Sequence, residues 1–194
     1  MITFLFTSCE SVTILSDNDA DIYAKIHNRY SKMESYTAEV TLTVISNKTE
    51  NTYKVKQSYL SPDKMAVLFL DTGAKAIITE NNVSLSYGEN LVDFPVSSDI
   101  NYLFINEFFK MYYMSQSTAL SVASHDSGST TRLETELISP TSHRYKSVLT
   151  INNKTLNPER LSVCDMSGKD VLFADFQSFV YNDKIDENEF TNEA

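Results

Sequence analysis

Tryptophan is absent from this 194-residue chain, glycine and proline occur four times each, and cysteine twice. The four glycines, Gly73, Gly88, Gly128 and Gly168, all fall where turns between strands are expected, so none belongs to a loop that cradles phosphate. No Pro/Gly/Ser-rich stretch divides the chain, which predicts one domain behind a short N-terminal tail. Two cysteines, Cys9 and Cys164, make neither a disulfide framework nor a metal-ligand spacing, although a single bridge between them is possible on paper. Cations are also scarce: 16 Lys and Arg face 26 Asp and Glu, for a net charge of -10. Binding a phosphate backbone requires a basic stripe that releases counterions. Here the cations are scattered, so nucleic acid is excluded as a partner. No stretch after the N-terminus is long and apolar enough to span a bilayer.

What the chain has in quantity is alternation. Its composition, 42% hydrophobic with 11 Tyr and 11 Phe, is that of a folded domain. Tyr36, Ala38, Val40, Leu42 and Val44 alternate with Thr37, Glu39, Thr41 and Thr43, predicting a long strand with one apolar and one polar face. Ahead of it Ile22, Ile26, Tyr30 and Met33 recur at helical spacing. A helix over about residues 17–33 therefore feeds the strand. Ser16 and Asp19 mark its start as a capping box, with Asp17, Asp19 and Asp21 at the positive end of the helix dipole. His27 lies off the stripe and is expected to be exposed.

A hairpin partner follows, in which Tyr53, Val55, Gln57 and Tyr59 alternate with Lys54 and Lys56. Ser61-Pro62-Asp63-Lys64 is a turn with proline at its favoured position, and short strands at 65–71, 75–79, 83–87 and 91–94 complete an antiparallel meander. The pattern then breaks. Over residues 100–114, Leu103, Phe104, Phe108, Met111 and Tyr112 stand at helical spacing, predicting helices across one mouth or face of the sheet. These side chains either cap the core or line a hydrophobic cavity for a greasy ligand or a partner segment. Strands resume at 121–124, 130–137, 144–152, 160–166 and 171–181. The acidic tail from Asn182 returns one aromatic, Phe190, to pin the end of the chain.

The N-terminus reads as an address. Met1 to Cys9 spell a short apolar run followed by Thr7-Ser8 and a cysteine, which resembles a bacterial lipobox. Small side chains there fit the signal peptidase, and the Cys9 thiol carries the lipid. The pattern departs from the norm at Phe6, where leucine is usual, and no cation precedes the apolar run. The start is therefore expected to be cut short or misassigned. On this reading residues 1–16 are a signal remnant and tether, and residues 17–194 a single extracytoplasmic domain anchored to a bacterial membrane by lipid. The alternative is a partly buried apolar arm with an ordinary cysteine.

No catalytic constellation emerges. Ser124, His125 and Asp126 are the residue types of a hydrolase triad, but sequence neighbours cannot present three side chains in relay. His125 and His143 make a poor zinc site without a third ligand. Asp183, Asp186, Glu187 and Glu189 read as a solvated charge run rather than an acid/base pair. Cys164 is a small core residue or a free thiol, with nothing to lower its pKa. No catalytic residue, metal or cofactor is expected, and the chain is read as a non-enzyme.

The ending carries a resemblance. Val171-Leu172-Phe173-Ala174-Asp175-Phe176, followed by Asn182-Asp183-Lys184-Ile185-Asp186-Glu187-Asn188-Glu189-Phe190, resembles the carboxyl end of the LolA/LolB/RseB-like family of lipoprotein-carrier folds. Met33-Glu34-Ser35-Tyr36-Thr37-Ala38 and the Tyr59-Leu60-Ser61-Pro62-Asp63-Lys64 turn look similar to that family's opening, and the likeness in element order covers most of residues 20–190. It implies an α+β fold: an incomplete antiparallel β-barrel (a LolA-like half-barrel), wet on its convex side, with helices covering a concave hydrophobic face. Within that group the chain looks most like the clostridial germination lipoproteins of GerS type. That likeness implies a non-catalytic role supporting a spore-cortex N-acetylmuramoyl-L-alanine amidase.

Two functions follow. In one the chain is a protein-binding cofactor, docking a cell-wall enzyme at a sheet edge or on the convex face, where strand addition is natural. In the other it carries or senses acyl chains in a cavity gated by Leu103, Phe104, Phe108 and Met111. Retention of a lipid anchor at Cys9 and the bulk of the Phe and Tyr side chains favour the first. An open edge also makes a strand-exchanged homodimer conceivable.

Overall fold

The alternating segment around Val40 becomes the middle of a large sheet. In the computed structural model, which describes residues 17–46, 49–79, 82–95, 102–125 and 128–191, strand β1 (Ser35–Ile45) pairs along its whole length with β2 (Glu50–Leu60). Its other side pairs with the last strand, β11 (Asp170–Tyr181). From β1 the chain meanders outward through β2, β3 (Lys64–Phe69), β4 (Lys75–Ile78), β5 (Asn82–Tyr87) and β6 (Asn90–Pro95). A second meander returns inward through β7 (Thr118–His125), β8 (Gly128–Glu136), β9 (Lys146–Asn152), β10 (Pro158–Cys164) and β11. The order is β6-β5-β4-β3-β2-β1-β11-β10-β9-β8-β7. Every neighbouring pair is antiparallel. The sheet does not close, and the fold is the incomplete barrel with helices that the resemblance implies. β6 and β7 are its two edges.

Helix α1 (Asp17–Tyr30) is shorter than the stripe ending at Met33 predicts. After Tyr30 the turn tightens, with Lys32 N–H to the Arg29 carbonyl and Met33 N–H to the Tyr30 carbonyl, both 3.3 Å, before the backbone extends into β1. Met33 stays buried all the same. Ser16 of the expected capping box lies outside the described residues. Helix α2 (Ile105–Met114) is the one helix described in the stretch where several are expected, and residues 96–101 again lie outside the description.

Both helices lie on the concave face. Ile26, Tyr30, Phe104, Phe108 and Phe109 pack there against Tyr36, Val40, Val55, Tyr59, Leu149 and Leu161 of the strands. The ring of Tyr30 stacks on Phe109 at 4.4 Å, joining α1 to α2. Each fully buried side chain of this size contributes about 1.5–3 kcal/mol by leaving water, and the apolar periodicity exists to supply that burial. The alternation in β1 fails at its far end, where Thr43 is buried and Val44 exposed. There Thr43 sits between Phe173 of β11 and Thr52 of β2, within 3.4 Å of the Thr52 hydroxyl.

Candidate functional site

All five residues expected either to cap the core or to line a cavity are buried: Leu103, Phe104, Phe108, Met111 and Tyr112. Four of them share the main core with α1 and the sheet. Met111 joins a smaller cluster with Tyr102, Leu137 and Val163. The rings interlock, Phe108 with Phe109 at 5.5 Å and Phe108 with Tyr112 at 5.8 Å. Burial, then the neighbouring Tyr23, pushes the Tyr112 phenol up to about 12.

A buried polar link fixes where α2 begins. Ile105 N–H donates to the Tyr36 hydroxyl (3.3 Å), which donates to Gln57 Oε1 (3.3 Å), while Gln57 Nε2 donates to the Leu103 carbonyl (3.2 Å). Phe104, at the N-cap, supplies no side-chain bond, so the phenol of β1 satisfies the first orphan donor of the helix. Burial holds the Tyr36 hydroxyl in its neutral form, far above the usual range, although the Ile105 bond acts against the shift. Sequence reading placed Gln57 on the apolar face of β2 without giving it a task. An amide among Val55 and Tyr59 was the available signal, because a buried amide has to find partners.

The convex face is covered in two ways. Behind β2–β4 lies the C-terminal tail with its 3-10 helix, Glu187–Phe190. Lys56 contacts Glu189 at 3.1 Å, the Ser58 hydroxyl donates to the same carboxylate at 2.7 Å, Lys64 contacts Glu187 at 3.1 Å, and Lys75 donates to the Thr191 carbonyl at 2.8 Å. Asp183 accepts from the Thr37 hydroxyl, and Asp186 caps the short helix through Asn188 N–H. Asp183, Glu187 and Glu189 thus tie the tail to the sheet as a strap while Asp186 and Glu187 stay exposed, and the convex side is covered here: Ser58, Ala66 and Ile77 are buried. Phe190 lines a cavity of about 260 Å³ with Ile77, Ile78 and Lys64.

Behind β8–β11 the cover is made by the strands themselves. Glu134 accepts from Arg132 (2.8 Å) and Lys146 (2.5 Å). Arg160 makes a two-pronged contact with Asp175 and lies 4.3 Å from the ring centre of Phe173. Burial alone would raise the Glu134 carboxyl, but the bonds from Lys146 and Arg132 outweigh it and hold the group below the usual carboxylate range.

The remaining candidates do not assemble. His27 is exposed and meets Tyr113 edge-on at 5.1 Å, as its position off the stripe predicts. His143 is exposed. Asp126 lies outside the described residues, as do the side chains of Ser124 and His125. Among the described residues no group of three His, Cys, Asp or Glu is placed to hold a metal ion. Cys164 is buried and free, and its thiol donates to Asp170 at 3.2 Å. Burial and that carboxylate push the thiol up to about 12, so it is protonated and unreactive. Cys9 lies outside the described residues. No described helix is long and apolar enough to cross a membrane.

The two edges differ. From Thr118 to Ala123 the exposed side chains of β7 are small or polar (Thr118, Ala119, Ser121 and Ala123), whereas every residue of β6 is exposed. The family described as "Sporulation protein YdcC-like" matches residues 1–190. The chain belongs to the YdcC-like sporulation proteins. No curated relative matches it.

Solved structures share the fold of this YdcC-like chain at low identity. An uncharacterized conserved protein of Thermus thermophilus is 14% identical with a TM-score of 0.55, over 91% of this chain and 94% of that one. A chain of the complex between the CwlD amidase and the GerS lipoprotein of Clostridioides difficile is 21% identical with a TM-score of 0.50, over 87% and 98%. MucB is 13% identical with a TM-score of 0.53, over 92% of this chain but 64% of its own length.

Proposed function

We propose that this YdcC-like sporulation protein is a non-catalytic, lipid-anchored lipoprotein that binds and supports a spore-cortex N-acetylmuramoyl-L-alanine amidase outside the cytoplasm. The observation that carries the reading is the fold shared with a chain of the GerS–CwlD amidase complex, in a protein whose own family is one of sporulation. The concave face supports it from within. An acyl carrier needs an open cavity there, and α2 with its N-cap residue commits Phe104, Phe108 and Tyr112 to the core instead. The lipid is assigned to the Cys9 thiol, with residues 10–16 as the tether.

The test is purification of the tagged full-length chain, solubilised with detergent from sporulating cells, followed by quantitation of bound amidase and of extractable lipid. The expected result is an amidase in stoichiometric amount and no acyl ligand beyond the anchor. Acyl lipid in stoichiometric amount without an amidase would overturn the proposal. The anchor is checked separately: labelled fatty acid should enter the wild-type chain and not Cys9→Ala.

A further inference from the structure

Among the described residues β6 is an edge strand that no other element covers. Such strands are normally blunted by shortness, by charge (above all lysine), by proline or a bulge, or are covered by another element. β6 pairs with β5 in an unbroken register from Asn82 opposite Pro95 to Tyr87 opposite Asn90. It has no lysine, and its proline stands at the very end. The two strands join through Gly88, whose φ of 57° suits the first central position of a tight type II′ turn. Alternate residues of such an edge direct their N–H and C=O groups away from the sheet. Large apolar side chains there are open to water: Leu91 is 55% exposed, Val92 56%, Phe94 40%, and Tyr87 of β5 58%.

The charge around this edge has one sign. Between Lys75 and Pro95 the sequence contains no Lys or Arg, and within the β5–β6 hairpin the charged residues are Glu89 and Asp93. Asp93 is tied to the Ser84 hydroxyl of β5, a neutral partner that leaves the carboxylate's charge uncompensated. A second copy of the chain is a poor occupant. Antiparallel self-pairing centred on Asp93, the register that sets Val92 beside Phe94, would oppose two carboxylates on molecules that each carry a net charge of -10.

Resting on the binding role proposed above, we infer that β6 is the docking strand for the protein partner, and that the partner adds an extended, cationic segment to it. Apolar side chains at alternate positions of that segment would cover Val92 and Phe94, and a Lys or Arg would face Asp93. Backbone pairing supplies affinity and the side chains supply selectivity.

The probes are two capped octapeptides, one of alternating Val and Lys and one of alternating Val and Glu, added to the full-length chain. The Val/Lys peptide should bind at least ten-fold more tightly, weaken as salt is raised, and slow hydrogen exchange at the β6 amides but not at β7. Asp93→Lys should reverse the preference between the peptides. Ser121→Lys on β7 should leave it unchanged. Because these positions are exposed, circular dichroism should show both variants folded. Equal binding of the two peptides, protection elsewhere, or protection of β6 by raised protein concentration alone would each overturn the inference. A second arm separates it from the proposed function: if the amidase co-purifies equally with wild type and with Asp93→Lys, the edge is wrong and the binding role stands. If it co-purifies with neither, the binding role itself fails.

Discussion

On the concave face of the sheet, Tyr36, Phe108 and Leu149 lie fully buried under two helices, while on the convex face behind them Lys56, Glu134 and Arg160 keep part of their side chains in water. The concave face is finished by apolar burial, which is proportional to area and not subject to ionic screening. The convex face is finished by ion pairs and hydrogen bonds, each worth little and screened by salt. The difference teaches where each face can change. Removing one ring from the concave face leaves a hole. Removing one carboxylate from the convex face leaves a neighbour that water can solvate.

The largest expected effect is therefore on the concave side. Phe108→Ala should cost about 3–5 kcal/mol, read as a lower urea midpoint. A loss below about 1 kcal/mol would mean that the two helices seal the sheet far more loosely than the ring contacts indicate. Next comes Tyr36→Phe, which keeps the ring but strands the Ile105 N–H and one bond of Gln57. The expected cost is about 1–3 kcal/mol, the range for leaving buried polar groups unpaired. Tyr36→Phe combined with Gln57→Leu should cost less than the sum of the two single variants, because the partners vanish together.

The concave face was the legible one. Ile22, Ile26, Tyr30 and Met33 on the helix and Tyr36, Ala38 and Val40 on the strand announce their burial by period alone, and the meander follows from the turns between short apolar runs. The end of β1 was not legible. Whether Val44 is covered depends on how far the helices reach, which no local pattern records. The strap was hidden for a related reason: Glu189 lies 133 positions from Lys56 and Glu187 lies 123 from Lys64, so a run of tail carboxylates looks solvated until the sheet returns β11 beside β1. The acidic, lysine-free stretch around β6 is legible directly as a charge asymmetry, set within the pattern of an ordinary hairpin.

On the convex side the expected effects shrink. Glu134→Gln removes the acceptor shared by Arg132 and Lys146 and, at this partial exposure, should cost at most about 1 kcal/mol at neutral pH. Its pH dependence has a definite sign. The folded-state pKa of Glu134 lies below the usual carboxylate value, so its contribution is complete above the unfolded pKa of about 4.3 and is lost as pH falls through the folded value. Thermal unfolding of the two proteins should differ at pH 7 and converge only as pH falls below the unfolded carboxylate range and through the lowered folded value. A gap that widened in acid would show that Glu134 is held in its neutral form, contrary to the geometry.

The smallest effects should separate the two anchors of the strap. Glu189 receives both Lys56 and the Ser58 hydroxyl, and its side chain is 36% exposed, whereas Glu187 receives Lys64 alone at 75% exposure. An exposed single pair gains little Coulomb energy and still has to order two long side chains. Glu187→Gln should therefore leave stability unchanged within error at any salt concentration. Glu189→Gln should lose a few tenths of a kcal/mol, up to about 1, and lose less as salt rises. Hydrogen exchange at the Ser58 and Ala66 amides gives a second readout of whether the strap still covers β2 and β3. If Glu187→Gln raised exchange there as much as Glu189→Gln, the strap would be held by the summed charge of the tail, and the convex face would be organised by long-range field rather than by local contacts.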